Sequence, residues 1–291
     1  MKQAMRHPPS GVRVRAAHLR TALGCAATAL ITLVGASCGS MQVPSAAGLG
    51  RMGQAALPIG PAKEKEIGFG IAATVAGRYR LVDNPALNEY VSLVGATVAQ
   101  QSIRGGEVDF HFGVLDTDDV NAFAAPGGYI LITRGALALM QSEAELAGVL
   151  AHEVAHVDEK HVLEGIRQQG VMNTATEEAQ LSGALLDAVS GAGASLLFGG
   201  LSREAEAESD SLGLIYATAA GYRPDGMAQF LEHLAAKIAE QQAAGLGGGW
   251  TSTHRAPEER IAAINAQISA AGLRPDQGVD GSTRFRSRVR L

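Results

Sequence analysis

The sequence predicts a mostly helical α+β domain in which a small, edge-exposed β-sheet packs on one apolar helix, and three observations carry that prediction. Residues 142–156 run Ser-Glu-Ala-Glu-Leu-Ala-Gly-Val-Leu-Ala-His-Glu-Val-Ala-His, apolar nearly all round, as a buried helix requires. Val108, Phe110, Phe112 and Val114 alternate with Asp109, His111 and Gly113, the two-residue period of a half-buried strand. Asn121–Ile132 then reads as strand, Pro-Gly-Gly turn and second strand. The chain has 291 residues, 46% of them hydrophobic, enough for one sizeable core. Few aromatics and abundant Ala and Gly suit tightly packed helices.

Taken in order, the chain opens on a leader. Residues 1–62 contain no Asp or Glu, whereas Lys2, Arg6, Arg13, Arg15 and Arg20 precede an apolar stretch from Thr21 to Ser37. A basic start, an apolar middle and a small-residue exit describe an export signal over 1–38. Both cysteines, Cys25 and Cys38, lie in it, so the body has neither a disulfide framework nor a Cys ligand. Val34-Gly35-Ala36-Ser37-Cys38 resembles a bacterial lipoprotein box with Cys38 as the acylated residue, although Gly35 stands where Leu is usual. Cleavage near Ala36 and an uncleaved anchor are the competing readings. Gly39 after the Cys resembles the pattern sorted to the outer membrane. Without the five basic residues of the leader, the net charge moves from −5 to −10. An acidic body argues against nucleic acid as a partner.

Residues 39–61, rich in Gly, Ala and Pro, read as a tether. The folded domain is expected over 62–271. Its first helix runs from Ala62 to Tyr79, with Ile67, Ile71 and Val75 among its apolar residues. Asp83-Asn84-Pro85 marks a second helix start, with Leu87, Tyr90, Val91, Val94 and Val98 on one face. Gly105-Gly106 breaks it before the strands. The apolar helix follows the second strand directly and closes at Asp158–Lys160. Residues 163–180 look helical and polar. Leu181–Leu201 is apolar and Gly-rich, and is expected to pack over the core or near a cleft. Residues 272–291 form a basic tail, expected to fray.

Within the apolar helix lies His152-Glu153-Val154-Ala155-His156. Positions i and i+4 share a helix face, so the two imidazoles can meet one metal ion while the Glu153 carboxylate stays available as a base. A buried helix does not carry such groups unless they are paired or bound. A catalytic site also needs a third ligand and an open position for water. Between Ser202 and Asp210, Glu206 shares a helix face with Asp210 and Arg203, whereas Glu204 and Glu208 fit a solvated face. Glu206 suits metal ligation, and Asp210 suits accepting the outer N–H of a ligating His. Glu177 or Glu178 is the rival third ligand. His111, His161 and His233 read as structural or exposed.

Asn121-Ala122-Phe123 with Pro126-Gly127-Gly128, the H-E-x-x-H of 152–156, Glu206-x-x-x-Asp210, Gly221-Tyr222 and Ser252-Thr253-His254 … Arg260-Ile261 together resemble the HtpX/BepA/LoiP group of bacterial gluzincin metallopeptidases, relatives of the CAAX prenyl endopeptidases. The resemblance spans roughly residues 62–270 and implies a zincin-like fold with one Zn2+ on His152, His156 and Glu206 and Glu153 as general base. It implies that the strand Asn121, Ala122, Phe123, Ala124 edges the cleft, where a peptide could pair by its main chain. It brings His254 towards the metal, either assisting catalysis or covering the open position. Arg255 departs from the pattern, standing where the family usually has Pro. Arg260 would brace the site through a carboxylate, with Asp210 a candidate. The expected function is a zinc endopeptidase on the periplasmic side of the envelope, tethered to the outer membrane through lipidated Cys38 and acting on unfolded or misassembled proteins. The alternative is an assembly or quality-control factor for outer-membrane proteins with proteolysis secondary, and a purely structural lipoprotein is the third reading.

Overall fold

The computed structural model describes residues 59–171, 183–244 and 256–291, all within the compact unit Ala55–Leu291. Pro61 opens helix α1 (Pro61–Tyr79), where its missing N–H costs nothing. Helix α2 (Pro85–Ala99) starts as the sequence predicts, with the Asn84 side chain accepting from the Leu87 N–H at 3.2 Å. Strands β1 (His111–Leu115), β2 (Ala122–Ala125) and β3 (Tyr129–Thr133) follow, with the short 3-10 turn Pro126–Gly128 between the last two.

The sheet order is β1-β3-β2. β3 pairs parallel with β1, His111 opposite Tyr129, and antiparallel with β2, Ala122 opposite Ile132. Leu81 and Val82 engage the outer side of β1 through a bridge to Leu115 and a bond to the Val114 carbonyl. β2 therefore forms the opposite edge. Its side chains alternate between two halves of the core. Ala122 and Ala124 join the larger cluster with Val149, Val154 and Leu150, whereas Phe123 and Ala125 join Ile67, Ile71 and Val189.

A short helix, α3 (Arg134–Leu139), intervenes before the apolar helix, which was expected to follow the strand directly. Helix α4 (Glu143–Asp158) is buried along its whole length. Ser142 and Glu145 cap it reciprocally: the Glu145 N–H donates to Ser142 Oγ at 3.2 Å, and that hydroxyl donates to the Glu145 carboxylate at 3.0 Å. At its far end Lys160 adopts left-handed geometry (φ 56°) and turns the chain into α5 (His161–Gln168). The helix expected over 163–180 ends there, because Gly170 takes φ 77° and leaves the helical path. Residues 172–182, with Glu177 and Glu178, lie outside the described residues.

Helix α6 (Gly183–Gly199) lies along α1, then α7 (Arg203–Ala219) and α8 (Gly226–Ala243) pack on α4, and α9 (Pro257–Ala270) packs on α8 and α7. The basic tail does not fray. Ser282–Arg288 forms helix α10, which buries Phe285 and pairs Arg284 with Glu143. That carboxylate also accepts from the hydroxyls of Tyr90 at 2.7 Å and Tyr222 at 3.0 Å, so one buried acid anchors the tail to three other parts of the chain. Among the described residues, no single helix is long and apolar enough to cross a membrane.

Two features of α1 fix the turn after β2. A Cβ at Gly68 would overlap the Pro126 carbonyl, so only glycine permits this approach. Glu64, fully buried, receives Arg104 at 2.7 and 3.0 Å and the Gly127 N–H at 3.1 Å, while Arg104 also donates to the Val157 carbonyl of α4 at 3.0 Å. Burial pushes the Glu64 carboxyl up, but Arg104 and the Gly127 N–H outweigh it and hold the group below its ordinary value. Its contribution is thus fully present above about pH 4.5 and is lost as the pH falls through the depressed folded value. Arg104→Leu leaves the buried Glu64 carboxylate, among the described residues, only the Gly127 N–H and Lys160, at 3.4 Å, and is expected to cost about 3 kcal/mol at neutral pH, the low end for breaking a buried pair. The gap from the parent should shrink in acid. Urea midpoints at pH 7 and pH 4 check this, and equal midpoints at pH 7 contradict it.

Candidate metal centre

The centre is built where α4 meets α7. Gly213 of α7 lies so close to α4 that a Cβ there would sit 2.9 Å from the His152 backbone nitrogen. Ser202 caps the start of α7, its hydroxyl accepting from the Ala205 N–H at 3.1 Å. Glu206 therefore stands in the first helical turn, where the helix dipole favours a carboxylate. One turn on, Asp210 follows on the same face.

His152 Nε2 and His156 Nε2 face each other at 3.0 Å, with Glu206 oxygens 3.8 Å from the first and 3.5 Å from the second. One ligand atom from each of the three residues lies within 4.8 Å of the others, and all three residues are buried. Glu153 is buried beside them, and its Oε1 has no hydrogen-bond partner among the described residues. A buried carboxylate oxygen in that condition marks a place where a water or ion belongs. Two imidazoles, one carboxylate and a second carboxylate left over suit a tetrahedral divalent ion with one exchangeable position.

Behind the imidazoles the charges are paired. Asp210 lies 3.0 Å from His152 Nδ1 and accepts two bonds from Arg260, at 2.9 and 2.7 Å. Arg260 is fully buried and also reaches to 3.6 Å of Glu206. Burial alone raises the Asp210 carboxyl, yet Arg260 and His152 reverse this and hold it well below the carboxylate range. Burial, with Arg260 and His156 adding to it, lowers His152 to about 4 against the upward pull of Asp210, so its imidazole is neutral at pH 7. Neutral is the form a metal needs. Burial and the neighbouring Glu206 push Glu153 up to about 8, with Arg260 pulling the other way.

The structure brings His152, Glu153, His156, Glu206, Asp210 and Arg260 together. Ala122 and Ala124 share a narrow pocket with Glu153, His156 and Glu206, and Leu196, Leu197 and Leu201 close its other side. Phe123 turns away into the second core cluster. Asn121 Oδ1 accepts from the Ala122 N–H at 2.9 Å. His254 and Cys38 lie outside the described residues. His233 meets the α4 cap through Glu145 at 3.0 Å, a structural place.

Sequence reasoning passed over His161 and Glu208. His161 Nδ1 is 2.9 Å from His156 Nδ1, and its Nε2 is 3.3 Å from Glu208. Five residues on a continuous helix would place His161 about 140° round from His156. The left-handed Lys160 breaks that helix and turns His161 back. No periodicity signals such a turn at a lysine.

A helix bearing H-E-x-x-H, joined to a carboxylate from a second helix and braced by an Asp–Arg pair, defines the core of a metallopeptidase-type domain. The chain belongs to peptidase family M48, whose model matches residues 85–268. It is 28% identical over 224 residues to the beta-barrel assembly-enhancing protease of Escherichia coli K12, covering 73% of this chain and 45% of that one. It is 29% identical to the metalloprotease LoiP of the same organism, over 65% of this chain and 75% of the relative. To the mitochondrial metalloendopeptidase OMA1 of Schizosaccharomyces pombe it is 32% identical, over 58% and 49%. The chain thus spans less than half the length of the beta-barrel assembly-enhancing proteases that it matches.

Asp210→Asn keeps the shape but removes the charge that faces both His152 and Arg260. It is expected to weaken divalent-metal binding about 10- to 100-fold. Competition with a chromogenic chelator measures this, and parent-like affinity would remove Asp210 from any part in holding the imidazole.

Proposed function

We propose that the chain is a zinc-dependent endopeptidase of the bacterial cell envelope that hydrolyses unfolded or misassembled proteins. The observation carrying this reading is the buried His152–His156–Glu206 cluster with the Glu153 carboxylate beside it. Two histidines and a glutamate are a donor set of catalytic zinc sites, and Glu153 lies buried beside them. Membership of family M48 and relatives named as proteases support the same chemistry.

His152, His156 and Glu206 would hold the ion, which supplies a Lewis acid for the scissile carbonyl and acidifies a water. Glu153, buried beside the three ligands with one carboxylate oxygen unengaged among the described residues, is placed to take the proton of the attacking water and deliver it to the leaving amine. Asp210, fixed by Arg260, holds His152 with its Nε2 lone pair towards the ion. His254, proposed for the cleft, would assist catalysis or cover the open position.

Antiparallel pairing turns alternate main-chain groups of an edge strand outward. Asn121 and Thr133 bond each other across β2 and β3, so the outward-facing residues are Ala122 and Ala124. The Ala122 N–H is already taken by Asn121, so the Ala124 N–H and the carbonyls of Ala122 and Ala124 are the outward groups with which an extended substrate would pair. Main-chain recognition of this kind discriminates unfolded from folded protein more than it discriminates sequence. The basic leader, the apolar run after it and the box ending at Cys38 support export and a lipid anchor on the periplasmic side of the outer membrane. The assembly-factor reading, with proteolysis secondary, is not favoured by an intact set of base and ligands.

Glu153→Gln is expected to lower cleavage of an unfolded protein by about 10^2–10^4-fold while leaving zinc bound. Chelation should abolish cleavage by the parent, and added Zn2+ restore it. A Glu153→Gln variant that cleaves at the parental rate contradicts the mechanism. For the strand, methylating alternate backbone nitrogens of a peptide substrate is expected to raise KM more than it lowers kcat. Unchanged KM would show that the peptide is not held by its main chain.

A further inference from the structure

The two proposed histidine ligands are supported differently. The outer nitrogen of His152 meets the Asp210–Arg260 pair, a charged and buried partner. The outer nitrogen of His156 meets another imidazole, that of His161, and the two rings stand 5.0 Å apart and nearly perpendicular. The His161 side chain is only 11% exposed. Its far nitrogen points at Glu208, and the buried Ser209 hydroxyl lies 3.4 Å from its near one.

The chemistry of these contacts fixes the order of the protons. If His156 offers its Nε2 lone pair to the ion, its Nδ1 carries the hydrogen. That N–H can donate only to an unprotonated Nδ1 of His161. A neutral His161 then carries its own hydrogen on Nε2, and Glu208 is placed to accept it. Each ring nitrogen in the line then has a partner, and the Ser209 hydroxyl, at 3.4 Å, makes a second and longer contact to His161 Nδ1. The bland alternative, an imidazole packed at the start of α5 beside a solvated glutamate, does not require two ring nitrogens to meet at 2.9 Å.

We propose that His161 and Glu208 form a positioning line that holds His156 in the Nδ1-protonated tautomer, and so set the affinity of the centre for its metal. The proposal rests on the reading of His152, His156 and Glu206 as ligands. His161 touches neither ion nor substrate and acts through His156. Glu208 is half exposed, so its share is the smaller one.

The test uses the full chain, Zn2+ and a competing chromogenic chelator. His161→Phe keeps the ring and removes the acceptor, and is expected to weaken zinc binding about 10- to 100-fold. His161→Gln offers an amide oxygen to the same N–H and should recover most of that loss. Glu208→Ala should cost only a few-fold, by the same reasoning about an exposed partner. Thermal unfolding of the metal-free forms separates these effects from misfolding. In the zinc-loaded parent, two-bond 15N correlation spectra should show hydrogen on Nδ1 of His156 and on Nε2 of His161. The opposite tautomer at His161 would overturn the proposal even if no variant folded. Loss of zinc with His156→Ala alongside parental affinity with His161→Phe overturns the positioning line alone. A parent that binds no zinc overturns the ligand reading beneath it.

Discussion

Arg260 has no exposure to water and is the largest side chain so enclosed among the described residues, and the metal centre is arranged around satisfying its charge. An unpaired guanidinium in such a place would cost several kcal/mol. Asp210 answers with both carboxylate oxygens, and Glu206 stands within 3.6 Å. That requirement ties α9, which carries Arg260, to α7, which carries both acids. The same Asp210 reaches His152 on α4. Three helices from distant parts of the chain are thereby held in one register by one cation. Burial, with the Arg260 charge and His156 adding to it, keeps the His152 imidazole neutral against the upward pull of the ionised Asp210.

Helix α7 serves the centre with two faces. Glu206 and Asp210, one turn apart, look towards α4, while Glu208 looks towards the start of α5. The acidic run therefore does not divide into one inward face and one solvated face, because Glu208 also meets the largely buried His161 imidazole. The close approach at Gly213 brings both faces within reach, since any larger residue would push α7 away from the His152 backbone. Acid spacing along α7 and a glycine further along it act together.

Much of this was legible in the residues. The apolar run from Glu143 to His156 announced a buried helix, and a buried helix with His-Glu-x-x-His demanded partners. Glu206 and Asp210 answered that demand at helical spacing, and the Asn121–Ile132 hairpin was visible in its Pro-Gly-Gly turn. What stayed hidden depends on tertiary pairing. The parallel partnership of β1 with β3 has no local signal, since α2 and the loops decide which strand lies beside which. Residues 282–288 form too short and too basic a run to declare a helix. They are ordered by Arg284 meeting a buried acid 141 residues earlier and by Phe285 entering the core. His161 escaped notice because a left-handed lysine redirects it.

Each end of α4 is pinned by a network that reaches outside the stretch matching the family. At the first residue, Glu143 is gripped by Arg284 of α10 and by two tyrosine hydroxyls. At the last turn, Arg104 holds the Val157 carbonyl while Ser102 and Tyr216 donate to Asp158 at 2.7 Å each, and Arg104 is itself held by Glu64 of α1. Neither α1 nor α10 belongs to residues 85–268. A helix anchored at only one end can rotate about its axis, and a rotation of about 100° moves a ligand to the position of its neighbour. Two polar anchors a helix length apart, each buried and each satisfied, remove that freedom. The placement of His152 and His156 is thus a property of the whole compact unit, including the segments that flank the family's shared core.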